Sequence, residues 1–245
     1  MGSFELRLPD IVVVTGTASG LGLEVARQLL QSNCQVVGVD MAPSALESDT
    51  RYQQVTGSIA DTGTWNRVVD LLDAQASATL GLVTCAAILD VGTVPEATAQ
   101  RIERTMSVNV TGTALGMAII IPRMEANGGG AIVAVASVNA TLAEQQLAIY
   151  NASKAAVRQL ARTAALDHAR RGIRINVLSP GPMMAGLSSD TSRAPPTAPG
   201  SWRAGQIDSR KAASSRQARS PKQHCFSCQM GQRHSLAQTS SPMVD

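Results

Sequence analysis

Ile11-Val12-Val13-Val14-Thr15-Gly16-Thr17-Ala18-Ser19-Gly20-Leu21-Gly22 is the stretch that decides the fold. Ile11 to Val14 is a β-branched run that predicts a short buried strand, and Leu21, Val25, Leu29 and Leu30 then recur at helical spacing. A turn containing Gly16, Gly20 and Gly22 lies between them. Strand, glycine turn and helix in this order bring unpaired N–H groups and the positive end of a helix dipole together, a seat for a pyrophosphate that the glycines let the backbone approach closely. A plain tight turn also uses glycine, so the rest of the chain has to decide.

A second predicted strand, Gln35 to Val39, ends in Asp40, about 20 residues beyond the glycines, where the dinucleotide-binding βαβ unit places a carboxylate against the ribose hydroxyls. No Lys or Arg stands in Met41 to Ser44 or within the turn to pair with a 2′-phosphate, which favours NAD(H) over NADP(H). The alternation continues with strand 52–57, helix 62–77, strand 81–85, a single long helix 96–126, strand 131–137, helix 149–171 and strand 174–178. Apolar strands between helices predict an α/β, Rossmann-type doubly wound parallel sheet, covered on both faces. Ligands of such sheets bind at the carboxyl ends of the strands, and Asp40, Ser58, Ala86, Ser137 and Pro180-Gly181 all fall there.

Tyr150-Asn151-Ala152-Ser153-Lys154 sets a phenol and an ammonium four residues apart on one helix face. A tyrosine is a poor base near neutral pH unless a cation stabilises its phenolate, and Lys154 is placed to do so. Lys154 is the only lysine before residue 187, and Tyr150 is one of two tyrosines in the chain. A half-buried aromatic beside a solvated charge would look the same.

The 245 residues, 44% apolar, suffice for a sizeable core, built from Val, Ile, Leu and Ala because aromatics are scarce. The net charge of +3 is carried by the tail: residues 1–186 hold thirteen basic against fifteen acidic groups, which argues against nucleic acid as partner. No apolar run is read as reaching the roughly 18 residues of a membrane span, and the N-terminus lacks a basic region leading into an apolar one. A cytoplasmic protein without membrane partner is expected. Cys34 and Cys85 sit in apolar segments and read as free thiols.

With these residues assembled, residues 9–186 resemble the short-chain dehydrogenase/reductase family. Thr15 to Gly22 matches its TGxxxGxG, Tyr150 to Lys154 its YxxxK, and Ser137 precedes Tyr150 by the usual thirteen residues. Asn109 corresponds to its helix asparagine, and Asn176 with Pro180-Gly181 to the segment after its sixth strand. The resemblance implies Asn109, Ser137, Tyr150 and Lys154 as catalytic residues. It implies a cofactor site of Thr15, Gly16, Ser19, Gly20, Leu21, Gly22, Asp40, Ser58, Ile59, Ala86, Tyr150, Lys154, Pro180 and Gly181. Tyr150 would exchange a proton with the substrate oxygen, Ser137 would hydrogen-bond that oxygen, and Lys154 would hold the nicotinamide ribose and lower the phenol's pKa. Asn109 would place a water in the proton relay. An NAD-dependent oxidoreductase of a secondary alcohol or ketone, forming a homodimer or homotetramer, is implied. Leu89, Val138, Leu142, Leu147, Met183 and Met184 are candidates for an apolar substrate wall, each equally readable as core or loop packing.

Two segments depart from the family pattern. Its Asn-Asn-Ala-Gly reads Thr84-Cys85-Ala86-Ala87 here, so a brace of the central sheet is changed and the site floor gains a methyl. Ser58 stands where an Asp usually meets the adenine, with Asp61 close by as a substitute.

From residue 187 onward Ser, Pro, Arg and Gln dominate and apolar periodicity ends, predicting a disordered, basic, low-complexity tail at 187–245. The family's substrate-covering helices and last strand are not legible there. His224, Cys225, Cys228 and His234 lack zinc-site spacing, so no metal is expected. If the codons for Phe226 to Asp245 are read two bases downstream, synonymous choices yield a segment ending Ile-Val-Thr-Asp-Gly-Gly, like the missing strand. A frameshifted or truncated gene product, or a catalytically impaired dinucleotide-binding pseudoenzyme, is therefore the alternative expectation. The chemistry residues precede this tail.

Overall fold

The computed structural model describes residues 8–75 and 77–182. All belong to the unit Met1–Ala194; the predicted tail, Met183, Met184 and the His/Cys cluster lie outside the described residues, as does any strand beyond the sixth. The described elements in chain order are β1 (Ile11–Thr15), α1 (Gly20–Gln31), β2 (Gln35–Asp40), β3 (Tyr52–Thr56), α2 (Thr62–Asp73) and β4 (Leu80–Thr84). They continue with α3 (Ala99–Met106), α4 (Thr113–Ala126), β5 (Gly130–Val135), α5 (Ala148–His168) and β6 (Ile173–Leu178). The strands form one parallel sheet in the order β3-β2-β1-β4-β5-β6. The order reverses between β1 and β4, so the crevice at their carboxyl ends is the switch point where such sheets bind ligands.

β1 is buried at every position because helices flank it on both faces. On one side Ile11, Val13, Leu82 and Ile132 pack with Trp65, Val68 and Leu72 of α2, Ile120 and Met124 of α4, and Val157 of α5. On the other, Val12, Val14 and Val36 pack with Ala26 and Leu30 of α1. Each fully buried aliphatic contributes about 1.5–3 kcal/mol relative to exposure. On the α1 face of the last two strands Ala131 and Val133 are half-buried, and Arg174, Asn176 and Leu178 are exposed. Among the described residues α1 is the helix on that face, and its cluster extends to Val83 of β4 and to Cys85 just after it.

The expected long helix is present from Ala99 to Ala126 and changes pitch along its length. Thr98 caps its start by accepting from the Arg101 N–H, and between α3 and α4 the chain makes a turn of π-helix, Ser107–Gly112. The widened turn surrounds Asn109, whose side chain is committed to other elements while its carbonyl accepts from the Thr113 hydroxyl at 2.9 Å. Insertions of this kind are frequent at functional sites. Contrary to the sequence expectation, Ala99–Ala126 is long and apolar enough to cross a membrane by length and composition. Its Met117, Ile120, Ile121 and Met124 are instead spent on the core. α5 ends at His168 and tightens into a 3-10 turn, Ala169–Arg171, where a continuous helix was expected.

Candidate active site

The glycine turn is held from three sides. Gly16 N–H donates to the Val39 carbonyl at 2.8 Å, the Thr15 hydroxyl accepts from Ala86 N–H at 3.0 Å, and Asp40 Oδ2 accepts from Ala18 N–H at 3.0 Å. Its shape demands glycine. Gly16 has φ +79°, and a Cβ there would lie 2.9 Å from Ala86 N; a Cβ on Gly22 would lie 2.2 Å from the Gly16 carbonyl oxygen. Ser19, extended, precedes α1, so the N–H groups of Gly20, Leu21 and Gly22 open the helix beside the turn. Asp40 also accepts from Ala42 N–H at 3.0 Å, which fixes its carboxylate at the lip of β2.

Beneath the turn lies a polar group that the sequence reading did not single out. The Tyr52 phenol meets the Thr17 hydroxyl at 2.8 Å and also donates to Gln54, and the Ser44 hydroxyl donates to the Thr17 carbonyl at 2.9 Å. The signal was Gly38 inside an apolar strand: a Cβ there would overlap the Tyr52 phenol at 2.0 Å.

The catalytic candidates converge at the end of β5. The Ser137 hydroxyl stands close enough to the Tyr150 phenol to pull its pKa down and accepts from Asn139 N–H at 3.1 Å. Lys154, only 3% exposed, lies with its ammonium 6.0 Å from the Tyr150 ring centroid and donates to the Val135 carbonyl at 2.9 Å. Asn109 joins three elements: its Oδ1 accepts from Ile88 N–H at 2.8 Å, and its Nδ2 donates to the Ile88 carbonyl at 3.0 Å and the Ser153 hydroxyl at 2.9 Å. Ser153, which donates to the Tyr150 carbonyl at 2.7 Å, thereby ties Asn109 to the catalytic helix. It lay within the quoted motif but was read as a spacer.

In the protein alone the phenol of Tyr150 stands above its usual pKa because it is buried; the Ser137 hydroxyl pulls it down and the charge of Glu144 pushes it up. Burial drops the Lys154 ammonium's own pKa to about 8, with Cys85 opposing, and its proton is directed at Val135. Burial also raises the Cys85 thiol to about 12, against the pull of Lys154.

The remaining candidates frame this centre. Pro180 accepts from Val138 N–H at 3.0 Å, and Gly181 is exposed with open space around it. Ser58 turns its hydroxyl onto Ala60 N–H at 3.2 Å. Ile59 is buried, its carbonyl accepting from the Trp65 indole at 2.7 Å, so a ligand at this position would meet backbone. Asp61 caps α2 by accepting from Thr64 N–H at 2.9 Å, which commits the carboxylate expected to stand in beside Ser58. Val138 and Leu147 are half-buried, Leu89 is half-buried and Leu142 is exposed.

The changed brace leaves a mark. Thr84, 2% exposed, carries a hydroxyl oxygen without a hydrogen-bond partner. A buried orphan of this kind costs about 1–3 kcal/mol. Thr84→Val, which keeps the shape and removes the oxygen, is therefore expected to raise stability by about 1 kcal/mol, read as a higher urea midpoint with an unchanged slope; a lower midpoint would show that the hydroxyl has a role.

Comparison with known proteins agrees with this architecture. The short chain dehydrogenase family model matches residues 10–195. The 2-(R)-hydroxypropyl-CoM dehydrogenase of Xanthobacter autotrophicus is 32% identical over 183 residues, covering 70% of this chain and 73% of that protein. The cis-4-hydroxycyclohexanecarboxylate dehydrogenase of Sinomonas cyclohexanicum is 32% identical over 196 residues, covering 74% and 77%. A solved short-chain dehydrogenase from Streptomyces avermitilis superposes with a TM-score of 0.68 at 26% identity over 73% of this chain and 68% of that one. With the glycine turn, the switch-point crevice and the Ser137–Tyr150–Lys154 arrangement in one sheet, the chain belongs to the short-chain dehydrogenase family of oxidoreductases.

Proposed function

We propose that the chain interconverts a secondary alcohol and its ketone with NAD(H), using Tyr150 as general acid/base. The observation that carries this reading is the phenol of Tyr150 beside the Ser137 hydroxyl, with Lys154 buried behind it, at the strand ends beside the glycine turn. The turn and the α1 N-terminus suit a pyrophosphate, since glycine at 16 and 22 lets the helix start close against the turn and the loop after β4. Asp40 fits the adenosine ribose and disfavours a 2′-phosphate. When bound, NAD(H) supplies the hydride acceptor or donor.

The protein's part is to hold a substrate oxygen between two hydroxyls and to move one proton. Ser137 hydrogen-bonds that oxygen, and Tyr150 gives it a proton in ketone reduction or takes one in alcohol oxidation. Burial keeps the phenol protonated at neutral pH, the state needed to protonate a ketone. In oxidation the adjacent Lys154 ammonium offsets the phenolate's charge as the proton leaves. Asn109, fixed by Ile88 and Ser153, holds the helix bearing Tyr150 against the loop after β4. The reading includes a cytoplasmic location and a homodimeric or homotetrameric assembly.

The test is titration with NADH and NADPH, followed by assay of secondary alcohols with NAD. Binding of NADH at least about tenfold tighter than NADPH and alcohol-dependent NADH formation are expected; tighter NADPH binding would overturn the cofactor assignment. A second reading, a dinucleotide-binding protein without turnover, draws on the orphaned Thr84 hydroxyl. NADH binding without turnover of any alcohol would favour it, and the coding DNA through residues 186–245 would tell whether a frameshift lies behind it.

A further inference from the structure

The segment joining Ser137 to Tyr150 is pinned along its length. Asn139 N–H donates to the Ser137 hydroxyl, and Asn139 Nδ2 donates to Glu144 Oε2 at 2.8 Å. With the Asn151 amide oriented so that both ends are paired, its oxygen accepts from Glu144 N–H at 3.3 Å and its nitrogen donates to the Leu147 carbonyl at 3.2 Å. Gly92 N–H donates to the Gln146 carbonyl at 2.6 Å, and Gln146 itself is held at φ +61°, a conformation costly for a non-glycine residue. The Glu144 carboxylate is thus fixed two hydrogen bonds and one residue step from Ser137.

That carboxylate is half-buried, and among the described residues its side-chain partner is a neutral amide. One oxygen is engaged by Asn139, which leaves the other able to accept. Its negative charge is felt at the Tyr150 phenol. A substrate whose oxygen sits between Ser137 and Tyr150 is therefore reached by the field of a negative charge held in a partly desolvated loop, where charge discrimination is stronger than in water.

Resting on the activity proposed above, we propose that Glu144, positioned by Asn139, determines specificity: it selects alcohols that carry a cationic hydrogen-bond donor away from the carbinol and rejects those that carry an anion there. No other charge on the segment from Val138 to Leu147 offsets it.

The test uses cyclohexanols bearing an aminomethyl, a hydroxymethyl or a carboxylate group on the ring carbon opposite the carbinol. Binding is measured by calorimetry on the protein–NADH complex, and turnover separately. The wild type is expected to bind the aminomethyl compound at least about a hundredfold more tightly than the carboxylate, with the hydroxymethyl compound between them. Glu144→Gln, which can keep the Asn139 contact, is expected to narrow that ratio to within about tenfold, while Glu144→Asp keeps the preference for the cation. Equal affinities in the wild type, or a ratio that Glu144→Gln leaves unchanged, would overturn the assignment. Intact discrimination without turnover would support it while overturning the proposed activity.

Discussion

Tyr150→Phe is expected to lower kcat by about a thousandfold, within the range spanned by general acid–base catalysis, while leaving the NADH dissociation constant within about twofold. The phenol's polar neighbour is the Ser137 hydroxyl, and Ser137 stays anchored by Asn139 when the phenol is gone. The ring itself, 8% exposed, continues to pack, so the fold loses no more than about 1 kcal/mol, the worth of one hydrogen bond. The affinity should hold because the glycine turn and Asp40 are fixed by Val39, Ala86 and Ala18, none of which touches the phenol. A rate drop of about a thousandfold corresponds to about 4 kcal/mol of transition-state stabilisation, far more than a lost structural hydrogen bond provides. The measurement pairs initial rates of NADH formation with a fluorescence titration of NADH. A variant that works within tenfold of the wild type would remove Tyr150 from the chemistry. One that loses NADH binding in the same proportion would make its role one of cofactor seating.

Most of the frame was legible because its determinants are local. Ile11 to Val14 read as a buried strand and are buried at every position; Asp40 read as the end of β2 and stands there. The glycine turn was equally readable, since its glycines answer to backbone contacts within the βαβ unit. What escaped depends on contacts between distant elements. The change of pitch in the long helix at Asn109 follows from bonds to Ile88 and Ser153, 21 and 44 residues away. Helical periodicity over 96–126 carries no trace of them. The Tyr52–Thr17 contact joins β3 to the glycine turn across 35 residues, hinted at by one glycine in β2. The state of Lys154 was missed for another reason: its spacing from Tyr150 gives proximity, whereas its pKa follows from burial and from the Val135 carbonyl it faces.

Gly22→Ala is expected to weaken NADH binding by at least about a hundredfold, or about 2.8 kcal/mol. The added Cβ would stand 2.2 Å from the Gly16 carbonyl oxygen and 2.9 Å from that of Thr15. Both obstacles are backbone, so no rotamer change relieves them, and the first turn of α1 must move away from β1. That motion separates the N–H groups at the helix start from the turn that aims them, and it strains the bonds from Gly16 to Val39 and from Ala18 to Asp40. Overpacking of this kind also costs about 1–3 kcal/mol of stability, so a binding loss needs a control for folding. Gly63→Ala supplies one: it lies in the first turn of α2, where the nearest atom to the added Cβ is the Asp61 carboxylate at 3.2 Å. It should leave affinity unchanged and hold or raise the melting temperature, because alanine favours helix over glycine. Affinity is read by calorimetry well below the Gly22→Ala melting temperature, where circular dichroism establishes a folded protein. Wild-type affinity in a folded Gly22→Ala variant would mean that the close contact between helix and turn does not shape the dinucleotide site. Loss in Gly22→Ala alone would place the cofactor at the one point where β1 and α1 touch too closely to admit a methyl group.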